Sequence, residues 1–187
     1  SSDVCSSDLG GAVAISSTAK VTLTQTYMRY NSSSNYGGAI FNEGILTIDK
    51  STLANNYANS SGGAISNING TVFIKNSTIT DNFSGSSGGG IRNFGGSLTI
   101  ENTTISYNRA GFGGGLSNSY RAAASIINST ISYNTATGSG IHNDDSLLTI
   151  KSSTFVGNFS NYNFAALFNL SGTATVSNTI FANRSEE

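Results

Sequence analysis

The side chains able to do chemistry are few and scattered. His142 is the single histidine, and Asp144 and Asp145 follow it closely. A histidine beside two carboxylates is suited to metal binding or acid–base work. However, one histidine with no second His or Cys nearby makes a poor transition-metal site, and a solvated turn accounts for the same residues. Cleavage of glycosidic bonds needs two carboxyl groups about 5–10 Å apart. The acids away from the termini are Glu43, Asp49, Asp81, Glu101, Asp144 and Asp145. No two of them occupy one structural column on neighbouring repeats, and Asp144 and Asp145, as sequence neighbours, are expected to diverge. No catalytic residue, metal ligand or cofactor is therefore expected. The remaining candidates are surface groups, namely Arg92, Tyr107 and Tyr133, with His142, Asp144 and Asp145 as weak members of the same set. Tyr107 and Tyr133 occupy equivalent positions on adjacent repeats, with Tyr30 in the same column. Exposed stacked rings could hold a sugar ring or a partner protein, or could simply stabilise the sheet surface.

The elements that must position these groups are set by an internal repeat. Gly37-Gly38-Ala39-Ile40-Phe41-Asn42 returns as Gly62–Asn67, Gly88–Asn93 and Gly113–Asn118, with weaker copies at Gly138–Asn143 and Phe164–Asn169 and a degenerate first copy at Gly10-Gly11-Ala12-Val13. Copies start at 10, 37, 62, 88, 113, 138 and 164, and a fixed period of this size marks a solenoid. Each repeat has three apolar pieces. The first centres on Val13, Ile40, Ile65, Ile91, Leu116, Ile141 and Leu167. The second alternates, as in Leu46-Thr47-Ile48, Val72-Phe73-Ile74 and Leu98-Thr99-Ile100, which marks a strand with one buried face. The third supplies Met28, Leu53, Ile79, Ile105, Ile131, Phe155 and Ile180, each followed three positions later by Asn. Helices are disfavoured by this density of Gly, Asn, Ser and Thr.

The expected fold is thus all-β, a parallel β-helix of about seven coils of 25–27 residues with three short strands per coil, stacked about 4.8 Å apart into a rod roughly 30 Å long. Like residues stack on like. Two asparagine columns, Asn42, Asn67, Asn93, Asn118, Asn143, Asn169 and Asn56, Asn82, Asn108, Asn134, Asn158, suit turns through their tolerance of left-handed backbone and can pass amide hydrogen bonds from coil to coil. The glycines are expected to serve tight turns and close backbone approach. The column Asp49, Lys75, Glu101, Ile127, Lys151 alternates in charge over its first three coils, which supports register.

Charged residues make up only 10% of the chain and apolar residues 37%, the latter at fixed places in each repeat, which excludes disorder. No apolar run approaches the roughly 18 residues of a membrane span, and no signal peptide is visible. Residues 1–9 read as a translated sequencing-library adapter and residues 184–187 as its partner, so residues 10–183 are expected to be a fragment of a longer reading frame. The one cysteine, Cys5, then carries no chemistry. The net charge moves from −1 for the whole chain to about +2 for its six remaining acids and eight bases. Neither value points to nucleic acid.

Glycine-rich GGAI segments paired with an F-x-x-N segment, here Phe155-Val156-Gly157-Asn158, resemble polymorphic outer-membrane protein repeats. More broadly the chain resembles right-handed parallel β-helix proteins of the pectate-lyase-like superfamily. The resemblance implies a secreted or surface-displayed bacterial protein, outer-membrane associated and often adhesive. The function expected is therefore a structural or adhesive segment of a larger protein, non-catalytic in itself. Its partners would be carbohydrate or a host or cell-surface protein, besides neighbouring coils of its own chain. The alternative is a fragment of a polysaccharide lyase or glycoside hydrolase.

Overall fold

The computed structural model describes residues 6–161 and 166–182. Cys5, Phe164, Ala165, Asn183 and the segment 184–187 lie outside them. The described chain is all-β and winds as a parallel solenoid. The coil beginning at Gly88 is representative, with strands Ile91–Phe94, Ser97–Glu101, Thr104–Ser106 and Arg109–Ala110. Equivalent strands of successive coils pair in parallel, giving four sheets, called I to IV in that order, of seven strands each. There are six complete four-strand coils, then three strands of a seventh. The expectation of three strands per coil is corrected here. Sheet IV is the addition, and most of its strands are two residues long, such as Tyr57–Ala58 and Phe83–Ser84. Two residues are too few to show an alternation. Its first strand is Ser6–Leu9, paired with Ser32–Tyr36.

The period fixes the register. Ile40, Ile65, Ile91, Leu116, Ile141 and Leu167 pair in sequence along sheet I. Leu46, Val72, Leu98, Ala124 and Leu148 do so along sheet II, and Leu53, Ile79, Ile105, Ile131 and Phe155 along sheet III. These inward columns form one continuous apolar core. At its end the expected column slips by one residue. Phe181, not Ile180, pairs with Phe155, their ring centroids 4.8 Å apart, while Ile180 pairs with Thr154 and faces outward. A one-residue shift exchanges the two faces of a strand.

Polar ladders run alongside. Asn42 Nδ2 donates to Asn67 Oδ1 at 2.7 Å, and the relay continues through Asn93, Asn118 and Asn143 to Asn169. In the second column, Asn56 Oδ1 accepts from both the backbone N–H and the amide of Asn31, and the same double contact repeats through Asn82, Asn108, Asn134 and Asn158. The amide relay is as expected, but the backbone role is not. None of these asparagines has positive φ. The left-handed turn is made one residue earlier, by Tyr30, Asn55, Asp81, Tyr107, Tyr133 and Gly157. A further ladder of Ser51, Ser77, Thr103, Ser129 and Ser153 accepts N–H groups from the preceding coil, as in Ser51 N to Ser77 Oγ at 3.1 Å. The recurring Ser/Thr-Thr pair at 51–52, 77–78, 103–104, 129–130 and 153–154 is its sequence signal. The glycine pair divides two tasks. Gly62 takes φ 73°, and a Cβ on Gly63 would lie 2.1 Å from the Gly89 carbonyl oxygen of the next coil.

Two substitutions check the inward assignments by chemical denaturation. Ile100→Ala opens a cavity among fully buried aliphatics and is expected to cost about 2–5 kcal/mol. Asn93→Ala breaks its relay and leaves buried turn groups unpaired, at about 1–3 kcal/mol. Near-native midpoints for both would refute the inward columns.

Candidate functional site

The outward residue of each sheet I strand defines one column: Phe41, Ser66, Arg92, Ser117, His142, Phe168, in register from coil to coil. Alternation along the strands predicts that these side chains face solvent. The structure corrects that prediction. Phe41, Ser66 and Ser117 are buried, Ser66 completely, and Arg92 and His142 are half-buried. The cover has two sources. The glycine turn before sheet I lies against the column, so that a Cβ on Gly10 would touch Phe41 Cβ at 3.0 Å. Long side chains then bridge several coils. The Arg92 guanidinium carbon lies 5.3 Å from the ring centroid of Tyr36, which belongs two coils back. The arginine therefore passes over the small Ser66 that separates them. The same carbon lies 4.4 Å from the Phe94 ring centroid, and Phe94 stacks on Tyr120 at 4.6 Å and 3°. Tyr36, Arg92, Phe94 and Tyr120 thus form one unbroken run of contacts. Farther along, His142 contacts Phe112 and Phe168, each at 5.5 Å between ring centroids.

This column holds most of the polar groups that the fold leaves unpaired. Four buried side-chain atoms among the described residues lack a hydrogen-bond partner: Asn42 Oδ1, Ser66 Oγ, Arg92 Nη1 and His142 Nδ1. Asn42 heads its ladder, with Ile15 as its neighbour on the preceding coil and no amide there to donate to it. The other three share the outward column of sheet I. Buried polar groups are almost always satisfied, and three of the four exceptions lie in this one column. Burial pushes the Arg92 pKa down, partly opposed by Tyr36. Burial likewise lowers that of His142, against the smaller opposing pull of Asp144 two residues on. Arg92 makes no ion pair among the described residues; the ion pair they contain is Arg121–Asp145 at 4.0 Å, on the exposed surface.

The other sequence candidates fall elsewhere. Asp144 shares the outward face with His142, whereas Asp145 sits in a left-handed turn with φ 46°, so the two acids do diverge. Asp49, Lys75 and Glu101 share a column as expected, yet they make no ion pair; Asp49 instead accepts a hydrogen bond from Asn76 at 2.9 Å. Tyr107 and Tyr133 stack at 5.1 Å and 11°. Their faces are turned toward each other, so edges and hydroxyls point outward. Tyr133 also lies over the space left by Gly157, where a Cβ would be 2.5 Å from Cε1.

A feature not legible as a pattern in the sequence surrounds this pair. Every complete coil places one aromatic at the corner between sheets III and IV: Tyr30, Tyr57, Phe83, Tyr107, Tyr133, Phe159. Three are at the left-handed turn and three lie two residues later, so no single column reveals the stripe. Five of the six are 43% to 57% exposed, and Tyr57 and Phe83 stack at 5.3 Å. At about 4.8 Å per coil the stripe runs about 24 Å.

Comparison with protein-family models, curated proteins and solved structures found no match.

The histidine gives a pH signature. The folded state disfavours imidazolium, so below the ordinary pKa of 6.5 the unfolded chain binds more protons than the folded one. Stability from this source is full above about pH 6.5 and falls as pH is lowered beneath it. As the chain has one histidine, the melting temperature should decline from about pH 7 to about pH 5.5, and His142→Gln should flatten that decline. An identical decline in the variant would remove His142 as its cause.

Proposed function

We propose that this chain is a structural and adhesive β-helix segment of a larger secreted or cell-surface bacterial protein, non-catalytic in itself. The observation that carries the reading is the aromatic stripe, and within it the Tyr107–Tyr133 pair. Left-handed backbone costs a non-glycine residue about 1–2 kcal/mol, and neighbouring coils place Asn55, Asp81 and Gly157 at this position. The ring stack returns about 0.5–1.5 kcal/mol beyond the area it buries. Asn, Asp or Gly would meet this backbone at least as well, yet two adjacent coils present tyrosine. Exposed aromatic side chains recurring coil by coil along one corner of a rod, two pairs of them stacked, suit a contact surface. The glycine-rich repeats support the same reading through their resemblance to polymorphic outer-membrane protein and pectate-lyase-like repeats. Ring edges with hydroxyls suit either sugar hydroxyls or a protein surface.

The double variant Tyr107→Ser, Tyr133→Ser tests this against immobilised glycans and intact cells. Binding should weaken at least tenfold, while stability falls by no more than the roughly 0.5–1.5 kcal/mol that loss of the ring stack implies. Equal binding by the variant, or none by the unaltered chain, would end the adhesive reading. Turnover of a polysaccharide by the unaltered chain would favour the alternative of a carbohydrate-active fragment instead.

A further inference from the structure

Among the described residues, Arg92 is the one cation that the fold half-buries and leaves without an acid. Lys20, Arg29, Lys50, Lys75, Arg109, Arg121 and Lys151 are exposed. The guanidinium of Arg92 is held over two aromatic rings, Tyr36 and Phe94, at 5.3 and 4.4 Å. Nη1 is buried and unpaired, as is Oγ of the fully buried Ser66, the register partner of Arg92 on the preceding coil. Arg92 is half-buried, so only part of the cost of taking an ion out of water applies. A cation–π contact recovers about 0.5–2 kcal/mol. No carboxylate of the described residues pairs with the guanidinium.

We propose that Arg92, held over Tyr36 and Phe94, is a recognition site for a carboxylate presented by the acidic side chain of a partner protein. Arginine meets a carboxylate with two parallel N–H···O bonds, and a guanidinium already stacked on aromatic rings loses little freedom in doing so. The surroundings select a protein over an acidic sugar. The residues about Arg92 are Tyr36, Phe41, Phe94 and Tyr120 with two small serines, which offer few side-chain hydrogen-bonding groups to the hydroxyls of a sugar ring. Arginine among tyrosine and phenylalanine is the composition of the energetic centre of a protein–protein contact. Tyr120, 62% exposed and in left-handed backbone at φ 64°, extends that surface beyond Phe94. The inference rests on the adhesive reading above and names its partner chemistry, at a different edge of the rod from the Tyr107–Tyr133 corner.

The probe is a hexaglutamate peptide, titrated into the complete chain at low salt and followed by calorimetry. Hexaglutamine, inorganic phosphate and a polyuronate serve as comparisons. Saturable binding of hexaglutamate is expected, at least tenfold weaker in Arg92→Gln and severalfold weaker in Arg92→Lys, which keeps the charge but loses the planar fork. If Arg92→Gln fails to fold, Arg92→Lys carries the test alone. Equal affinity in the variants, hexaglutamine binding as tightly as hexaglutamate, or tighter binding of phosphate or polyuronate would each overturn the proposal. Tyr107→Ser, Tyr133→Ser should bind hexaglutamate normally, so failure of the adhesive corner and failure of the Arg92 site are read separately.

Discussion

The structure depends on one constraint: each coil must present to the next the same groups that the previous coil presented to it. Parallel strands exchange backbone hydrogen bonds only if successive coils are in register. At the corners, where strands end, side chains take over that exchange. The column from Asn56 to Asn158 shows the mechanism most fully. Each Oδ1 accepts two hydrogen bonds from the coil before, one from backbone and one from an amide. Each Nδ2 also donates to a main-chain carbonyl, as Asn108 does to Ile79 O at 3.0 Å. An amide has a donor end and an acceptor end, so it can pass the bond along the rod. Serine hydroxyls do the same at the corner between sheets II and III, accepting from the coil before and donating to a carbonyl two residues back. A group lost from such a relay strands partners on both sides, which is why the interior tolerates so little change.

The outward columns escape this constraint. The outward positions of sheet I carry Phe, Ser, Arg, Ser, His and Phe on consecutive coils, while the inward positions beside them hold only Ile or Leu, and Asn. Stability thus comes from what repeats and individuality from what does not. The orphaned polar atoms follow the same division. Within the core they are confined to the head of one amide ladder, and the rest collect in the column that varies.

The inward half of this arrangement was legible because a repeat turns spacing into neighbourhood. Ile65, Ile91 and Leu116 share a column simply because each stands two residues after a glycine pair. Alternation alone does not determine burial on the outward face. Arg92 and His142 alternate with buried Ile and Asn and were expected in water, but side chains from other coils roof them. That roof depends on the reach of Tyr36 and Arg92 across Ser66, a contact between residues 56 positions apart whose spacing is not a multiple of the repeat. The two-residue strands of sheet IV were missed because they are shorter than any period. The aromatic stripe was hidden because its members shift between two columns. Asparagine was credited with both the amide relay and the left-handed turn, whereas the backbone assigns the turn to its neighbour. The relay requires Asn in the extended frame beside the strand, and the adjacent residue bears the strained angle whatever its type.

That division of labour explains why tyrosine can appear at a strained turn at all. The left-handed residue at the corner between sheets III and IV is followed directly by a buried asparagine: Asn56 after Asn55, Asn82 after Asp81, Asn108 after Tyr107, Asn134 after Tyr133. The backbone angle there is imposed by the amide ladder and by the N–H groups that bond to the next coil, as Tyr107 N does to Ser132 O at 3.1 Å. The corner residue does not choose its conformation, so its side chain is free to vary at a cost of one or two kcal/mol. A rod of this kind can alter its surface coil by coil while the interior stays fixed.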